Sequence, residues 1–577
     1  MVQDIYDPLT EYAEVFHDRF KEVAERTFEQ LAKEAQVNVE ENRETCRQLY
    51  DTENVIASLK TCIGWRTALC VLMWLVDVGC VVALMALNQQ QCEPWVFGCI
   101  IGAFVVVLLL LLLKVHPHLK KLKAQRDEMQ STADELKKTA WQQMAPLNKL
   151  YDWDVLTRMM SETVPRLEFD PYFTTQRLAD LKVTYGWDDS FNAERSVIYS
   201  HSGLINGNPF VICRTRKMEM GQKTYYGTKT IHWTTRMRGS DGKMHTVHQS
   251  QVLTATVTAP YPEYYERTRL IYGNTAAPDL IFSRTSSGLA SEKGSISYKM
   301  KRRSLRKKAR NLDNADFAMM TNEDFEVAFD TSNRNNNQQF ALLFTPLAQE
   351  SMLKLLEDNK WGYGDDFDFN KHQMINTIIP SHMQKLNLDM NPEQYHHFDF
   401  DVAKQDFRDI NSRYFKAIYF ALAPLLCVPM YQQIRPQQEI YGHDMQRHSA
   451  FWEHEALANF WGQERFKHPK CVTDCILKTE QHEGHGDEST ITVYAYGYRV
   501  RQRLTYVSKW GGDGRMHNVP VYWDEYLPVT GTGTIRMRED NEAKDDNVTQ
   551  KQRLDHISSV LNQAHLDIYR RHIASKV

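Results

Sequence analysis

The chain has no P-loop, no dinucleotide-binding glycine fingerprint, no nucleophile-elbow serine and no His-Glu-x-x-His helix. The common signatures of phosphate, nucleotide, acyl-transfer and zinc-hydrolase chemistry are therefore missing. Cysteine is sparse: of ten in 577 residues, Cys70, Cys80 and Cys99 lie in apolar runs and the others are scattered. That excludes a dense disulfide framework and fits a reducing cytoplasm. A net charge of −4 excludes bulk attraction to nucleic acid. No cleavable leader is read at the start, because Met1 to Thr61 mixes acidic and basic residues, so the first apolar run is expected to direct insertion itself.

Two apolar runs organise what is present. Thr67 to Leu87 and Trp95 to Leu113 are joined by Asn-Gln-Gln-Gln-Cys-Glu-Pro, and only Asp77 and Glu93 carry charge between Arg66 and Lys114. Each run is near the ~20 residues that a helix needs to cross a bilayer, so a two-helix transmembrane hairpin is predicted. Pro94 suits the first turn of the second helix. Lys60 and Arg66 precede the hairpin, Lys114, Lys120, Lys121, Lys123 and Arg126 follow it, and the connection has no basic residue. Both chain ends are thus expected on the cytoplasmic side of the inner membrane. Asp77, mid-span, costs roughly 2.5–3.5 kcal/mol to insert. It is expected to face the other helix, a second protomer or water, either as an ion-path or oligomer contact or as a plain interhelical group.

The flanks read as helix. Phe16, Phe20, Val23, Phe28 and Leu31 form one stripe within residues 9–60, and Leu122, Met129 and Leu136 repeat at seven beyond the membrane, with Leu119, Ala133 and Ala140 between them and Arg126 interrupting. These helices are expected to continue the membrane pair as a short stalk. Beyond Pro165 the pattern turns to β. Ser196–Ile205 and Asn208–Cys213 flank Asn206-Gly207, a strong hairpin signal, and runs at Thr228–Arg238 and Val252–Thr258 are joined through Asp241-Gly242.

A related pattern returns. Gly239-Ser-Asp-Gly-Lys-Met-His-Thr-Val247 and Gly511-Gly-Asp-Gly-Arg-Met-His-Asn-Val519 agree at six of nine positions. Each follows a Tyr-Gly (226–227, 496–497) and, farther back, a Cys and a Glu (Cys213, Glu219; Cys475, Glu480), which reads as a duplicated β-module. His245 and His517 are read as strand residues beside a turn. Between the copies, Ser286–Ser297 reads as a flexible linker leading into Lys299, Lys301, Arg302, Arg303, Arg306, Lys307, Lys308 and Arg310, eight basic residues in twelve. In a membrane-tethered chain such a run is drawn to anionic head groups; with no aromatic interleaving, nucleic acid is not expected.

Phe325–Phe329 and Gln339–Phe344 read as strands, and Thr345-Pro346 as the cap and first turn of a helix through Leu356. Ala417–Met430, with two prolines, is too short for a third span and reads as a buried or interfacial helix. Lys551–Ile573 has helical spacing, and Arg538–Asn547 reads as an acidic mobile loop. Asp365, Asp366 and Asp368 fall in a Gly-rich acidic stretch whose default reading is solvation. The best metal-like constellation is Cys471, Cys475, His482 and His485, whose x3, x6, x2 spacing is no standard zinc finger. No cofactor is expected.

The hairpin, Val164-Pro-Arg-Leu-Glu-Phe-Asp-Pro171, the Ile198–Phe210 region and Leu342-Leu-Phe-Thr-Pro346 resemble a family of uncharacterised bacterial membrane proteins with a two-helix transmembrane hairpin and a cytoplasmic domain of unknown function. The likeness covers roughly residues 60–360 and implies topology without catalytic residues. The expected protein is an α+β membrane protein: N-terminal helices (1–65), transmembrane hairpin (66–114), helical stalk (115–165), first β-rich module (166–285), basic linker (286–312), mixed region (313–435), second β-rich module (436–535), then acidic loop and C-terminal helix (536–577). The leading functional expectation is a non-enzymatic scaffold, with the bilayer and a protein partner, or a second copy, engaged through stalk and β-modules. A metal-dependent hydrolase or sensor on the Cys/His cluster, and a transport or channel accessory subunit, are the alternatives.

Overall fold

The computed structural model describes residues 5–87, 94–188, 190–238, 243–310, 317–433, 448–482, 488–540 and 549–577. It mixes helices with antiparallel sheet and divides into two units. The smaller unit is Glu25–Tyr151 with Pro392–Asp409, and the larger one holds Met1–Ala24, Asp152–Asn391 and Ile410–Val577.

The smaller unit is a long helical hairpin. One arm is the continuous Val39–Leu87 helix, about 74 Å at 1.5 Å per residue. The other runs as Pro94–Leu110, a π turn at Leu111–Val115, and His116–Asn148. The π turn sits just before Pro117, which has no N–H to continue the ladder. The seam is regular. On the first arm Asn42, Cys46, Leu49 and Ile56 are buried, and so are Leu119, Ala133, Ala140 and Met144 on the second, as the seven-residue spacing predicts. Both arms contain a helix long and apolar enough to span a membrane, and the outward side chains there, among them Leu72, Leu75, Val78, Val82 and Leu113, are exposed. Residues 396–401 tie down the polar end of the hairpin. Asn42 bonds the Phe398 carbonyl at 2.9 Å and accepts the Phe400 amide at 3.0 Å, Arg43 forks onto Asp401, and Asn148 reaches the His397 carbonyl.

The larger unit contains two antiparallel sheets. The first has strands β1 (Leu167–Phe169), β2 (Arg195–Ile205), β3 (Asn208–Arg238), β4 (Met244–Gly273), β5 (Ile281–Arg284), β6 (Phe367–His372) and β7 (Ile375–Pro380), in the order β1-β2-β3-β4-β7-β6-β5. The second has β8 (Ile476–His482), β9 (Glu488–Trp510), β10 (Met516–Glu539), β11 (Ile568–Arg570) and β12 (Ile573–Lys576), in the order β11-β12-β10-β9-β8. Asn206 (φ 52°) and Gly207 (φ 77°) form the expected two-residue turn between β2 and β3.

The shorter β runs read from the sequence are pieces of much longer strands. Past Lys217, β3 loses β2 and its only described partner is β4, so residues 218–238 and 244–264 form a two-stranded ribbon; β9 and β10 form a second. Pro260 and Pro262 are tolerated inside β4 because, among the described residues, no strand pairs with its far edge there. An isolated ribbon is marginal in water. These two bury one face against each other: Ile231, Leu253 and Ala255 meet Val519 and Val521, rimmed by Tyr225, Trp233, Val257 and Val507. Gly227 is required at the crossing, since a Cβ would run into the Pro520 carbonyl. Both ribbons restart on the Met of the repeated motif, Met244 opposite Arg238 and Met516 opposite Trp510. Asp241-Gly242 lies outside the described residues. The upstream Cys-Glu pairs differ in placement. Cys213 and Glu219 lie on β3, the strand that carries Tyr226-Gly227, whereas Glu480 is on β8 and Cys475 just precedes it.

Four expectations are corrected. Phe325–Phe329 and Gln339–Phe344 belong to helices, Glu323–Phe329 and Asn337–Leu343, because Asn322 and Asn336 cap them by accepting the Phe325 and Gln339 amides, and this local bonding outweighs the β-like composition. The Ser/Gly-basic stretch is packed: the Ser287 and Gly288 amides bond Asp365 at 2.9 Å each, and Ile296–Arg310 is a helix with Tyr298 and Leu305 buried. Asp365 is accordingly no solvated loop residue, being buried against the Arg284 guanidinium, while Asp366 bonds His382 and Asp368 accepts the Ser286 amide. The C-terminal helix ends at Ala564, where His565 turns left-handed (φ 52°), and the chain finishes as β11–β12. The Thr345-capped helix, Pro346–Glu357, and the burial of Ala417–Leu426 follow the sequence reading, whereas of the expected loop Arg538–Asn547, Arg538 and Glu539 are instead the end of β10, held by pairing with β12, and residues 541–547 lie outside the described residues.

Gly227→Ala is expected to destabilise the paired ribbons by about 1–3 kcal/mol, the usual cost of overpacking against backbone that cannot yield. Faster hydrogen exchange at Val519 and Val521 in the variant checks it; unchanged exchange there would show that the close approach is not needed.

Candidate functional site

The most unusual chemistry in the larger unit lies on the Phe451–Trp461 helix, wedged between the two sheets and contacting β2 and β8. Its sequence puts Glu453, His454 and Glu455 consecutively in an apolar segment, and all three are buried. Consecutive helical positions point about 100° apart, so each side chain meets a different wall.

Glu453 Oε1 accepts the Phe173 amide (2.9 Å), the Ser200 hydroxyl (2.9 Å) and the Arg571 guanidinium (3.2 Å); Arg571 also donates to the Ser200 carbonyl. Glu455 takes Lys478 Nζ at 2.8 Å and the Val197 amide at 3.0 Å. Burial pushes the Glu455 carboxyl up to about 7, against the opposing pull of Lys478. His454 Nε2 lies 2.9 Å from Ser449 Oγ, and burial pushes its imidazole down to about 4. Ser449 in turn donates to Glu539 at the end of β10. A Ser-His pair invites comparison with a nucleophile and its base. Here, however, Glu539 holds the serine and not the imidazole, His454 Nδ1 has no partner among the described residues, and Ser449 and His454 are each 2% exposed. What this arrangement does is bind β2 to β8 and the C-terminal strands through charged hydrogen bonds.

Two further groups escaped sequence reasoning. Lys371 on β6 is 1% exposed and donates to the Ala276 (3.1 Å) and Gln373 (2.6 Å) carbonyls; burial alone pushes its amine down to about 7. His382 holds Asp366 at 2.5 Å through Nδ1 and the Ala417 carbonyl at 3.0 Å through Nε2, and Tyr363 stacks flat on it at 3.8 Å. Leu355, Gly364, Phe367 and Phe420 complete a recess around this pair, with room for about one water and none for a substrate. The glutamates and His454 had a signal in the sequence, three ionisable residues inside Phe-Trp-…-Ala-Leu-Ala, whereas Lys371 had none.

The sequence-predicted metal residues are only partly brought together. Cys471 and Cys475 approach to 3.7 Å between sulfurs, both against Gly497, where a Cβ would strike them. His482 sits at the other end of β8, about 20 Å along the strand, bonded to Thr492, and His485 lies outside the described residues. Among the described residues no group of three or more His, Cys, Asp or Glu side chains could hold a metal ion. Asp77 is 2% exposed on the seam of its hairpin, in line with the less exposed Cys70, Met73 and Cys80, and neither carboxylate oxygen has a hydrogen-bond partner among the described residues. Of the basic run, Lys301 pairs with Asp330, Arg306 with Glu323, and Lys308 with the Ser332 carbonyl. His245 and His517 lie on β4 and β10 next to the turns; His517 bonds Asp513.

The chain matches no protein-family profile, no curated protein and no solved structure. The resemblance to uncharacterised bacterial membrane proteins thus rests on the residues quoted for it.

Two titrations test the buried groups. His454, held down, contributes stability that is present above its unfolded value near 6.5 and is lost as pH falls through about 4. Glu455, held up, contributes stability present below about 4.5 and lost as pH rises through about 7, so the two slopes oppose each other in overlapping windows. His454→Gln is expected to gain on the parent by up to about 3 kcal/mol between pH 6.5 and 4, read from denaturant midpoints; a constant difference would deny the buried neutral imidazole. Lys371, also held down, contributes fully above about 10.5 and loses that contribution as pH falls through about 7. Lys371→Met should therefore gain on the parent as pH falls from 10 to 7, by on the order of 4 kcal/mol in the same measurement.

Proposed function

We propose that this protein is a membrane-anchored, non-enzymatic scaffold: two helices cross the inner membrane with both chain ends in the cytoplasm, and the larger α+β unit presents its paired ribbons to a protein partner. The observation that carries the reading is the co-occurrence of two unusual apolar surfaces on one chain. The first is the outward surface of the two apolar helices, exposed along nearly its whole length. Such a surface is unfavourable in water and at home in hydrocarbon. Trp65 and Trp95 stand at the beginnings of the two runs, where an up-and-down hairpin brings them to opposite head-group layers, and the one-sided basic flanks support the orientation.

The second surface lies on the face of β9–β10 turned away from β3–β4. Side chains alternate along a strand, so while Val507, Val519 and Val521 point into the ribbon pair, Val500, Leu504, Tyr506, Trp510, Met516 and Tyr522 point out and are exposed. Cross-strand register places Trp510 beside Met516 and Leu504 beside Tyr522, with the hydrogen-bonded Ser508–Asn518 pair between these two apolar clusters. Aromatic and Met residues grouped this way mark protein-interaction surfaces.

Asp77 supports a second reading, a transport or channel accessory subunit. A carboxylate with no hydrogen-bond partner among the described residues, inside an apolar helix pair, is costly enough to need a reason. Asp77→Asn with unchanged ion flux and unchanged oligomeric state would remove it.

The full-length chain, extracted in mild detergent, is expected to retain a stoichiometric protein partner or second copy, and Leu504→Arg/Tyr506→Arg to lose it while keeping the parent's thermal midpoint. A parent that purifies alone overturns the scaffold. Release of the chain from membranes by alkaline carbonate overturns the anchor.

A further inference from the structure

The Ile296–Arg310 helix sorts seven of its eight cations by direction. Tyr298 and Leu305 are buried with Phe317 and Val327, which fixes the inward side. Lys301, Arg306 and Lys308 are held by Asp330, Glu323 and the Ser332 carbonyl, and so serve to pin the helix. At 100° per residue, Lys299, Arg310, Arg303, Ile296, Lys307 and Met300 fall in that angular order within an arc of about 100° on the opposite side. All six are exposed, Ile296 and Met300 by 77% and 58%, and no carboxylate shares the arc. None of its four cations has an ion-pair or hydrogen-bond partner among the described residues.

We infer that this outward stripe is a binding surface for anionic phospholipid head groups, with Lys299, Arg303, Lys307 and Arg310 supplying the charge and Ile296 and Met300 dipping into the acyl boundary. The inference rests on the membrane-anchored reading above, which puts a bilayer permanently within the chain's reach. Charge complementarity chooses the occupant. A basic stripe with interspersed apolar side chains on one helical face is the form that lies on a membrane surface. Nucleic acid fits less well, because the stripe holds no aromatic ring on which a base could stack. Each cation near an anionic surface is worth about fivefold in binding, so the four together act as a substantial second attachment beside the apolar helices.

The test uses the full-length chain in nanodiscs of phosphatidylcholine alone or of phosphatidylcholine with phosphatidylglycerol, with hydrogen exchange followed over residues 296–310. Exchange is expected to slow about tenfold or more in the anionic discs. The slowing should reverse at high salt and vanish in Lys299→Gln/Arg303→Gln/Lys307→Gln, which leaves the pinning residues intact. Exchange that is the same in both lipids overturns the inference while leaving the anchor standing. A chain that stays soluble without detergent and enters no disc overturns the anchor instead. Slowing by added duplex RNA but not by phosphatidylglycerol assigns the stripe to nucleic acid and overturns the lipid surface.

Discussion

The larger unit depends on keeping three adjacent ionisable side chains dry. Glu453, His454 and Glu455 lie on a helix with no wet side, and each is tolerable only because a specific partner reaches it: Arg571 from the C-terminal turn, Ser449 from the preceding loop, Lys478 from β8. Removing one partner of a buried pair typically costs about 3–5 kcal/mol, whereas a matched apolar core would carry no such liability. The benefit is geometric. Charged hydrogen bonds have a narrow range of lengths and directions, so the helix fixes β2 against β8 far more tightly than packing alone would. The bases of both ribbons belong to the sheets so joined, and their crossing at Gly227 and Pro520 inherits that alignment.

Legibility in the sequence followed the range of the interaction. Signals carried by a few neighbouring residues were readable: the Asn206-Gly207 turn, the Thr345-Pro346 cap, the seven-residue seam from Leu119 to Ala140. Where two local signals competed, composition misled. Phe-Glu-Val-Ala-Phe suits a strand, yet the Asn322 cap makes it a helix, and the basic run suits a solvated linker, yet Tyr298 and Leu305 give it an inward face. What no local reading supplies is burial of a charge. Lys371 differs from any surface lysine only through strands brought around it, and Glu453 through an arginine 118 residues away. His482 stands apart from Cys471 and Cys475 for the same kind of reason, since an extended β8 carries it away from the two sulfurs.

The smaller unit follows another economy. Its seam positions repeat from Asn42 into the apolar run, so one pattern serves both an aqueous and an apolar stretch, and only the outward residues change character. Asp77 is the exception to that change, a polar residue on the seam side where the helix is most apolar.

The ribbon pair also sets an order of events during synthesis. β3 and β4 are close in sequence and can zip together soon after leaving the ribosome, but the face they expose, with Ile231, Leu253 and Ala255, is covered only by Val519 and Val521. Those residues emerge ~270 positions later, roughly 15–50 s at ordinary elongation rates. For that interval the nascent chain carries a bare apolar ribbon with two unpaired edges, the form most open to wrong partners. Pro260 and Pro262 on one edge and Lys229 at the rim are residue types that discourage such edge pairing.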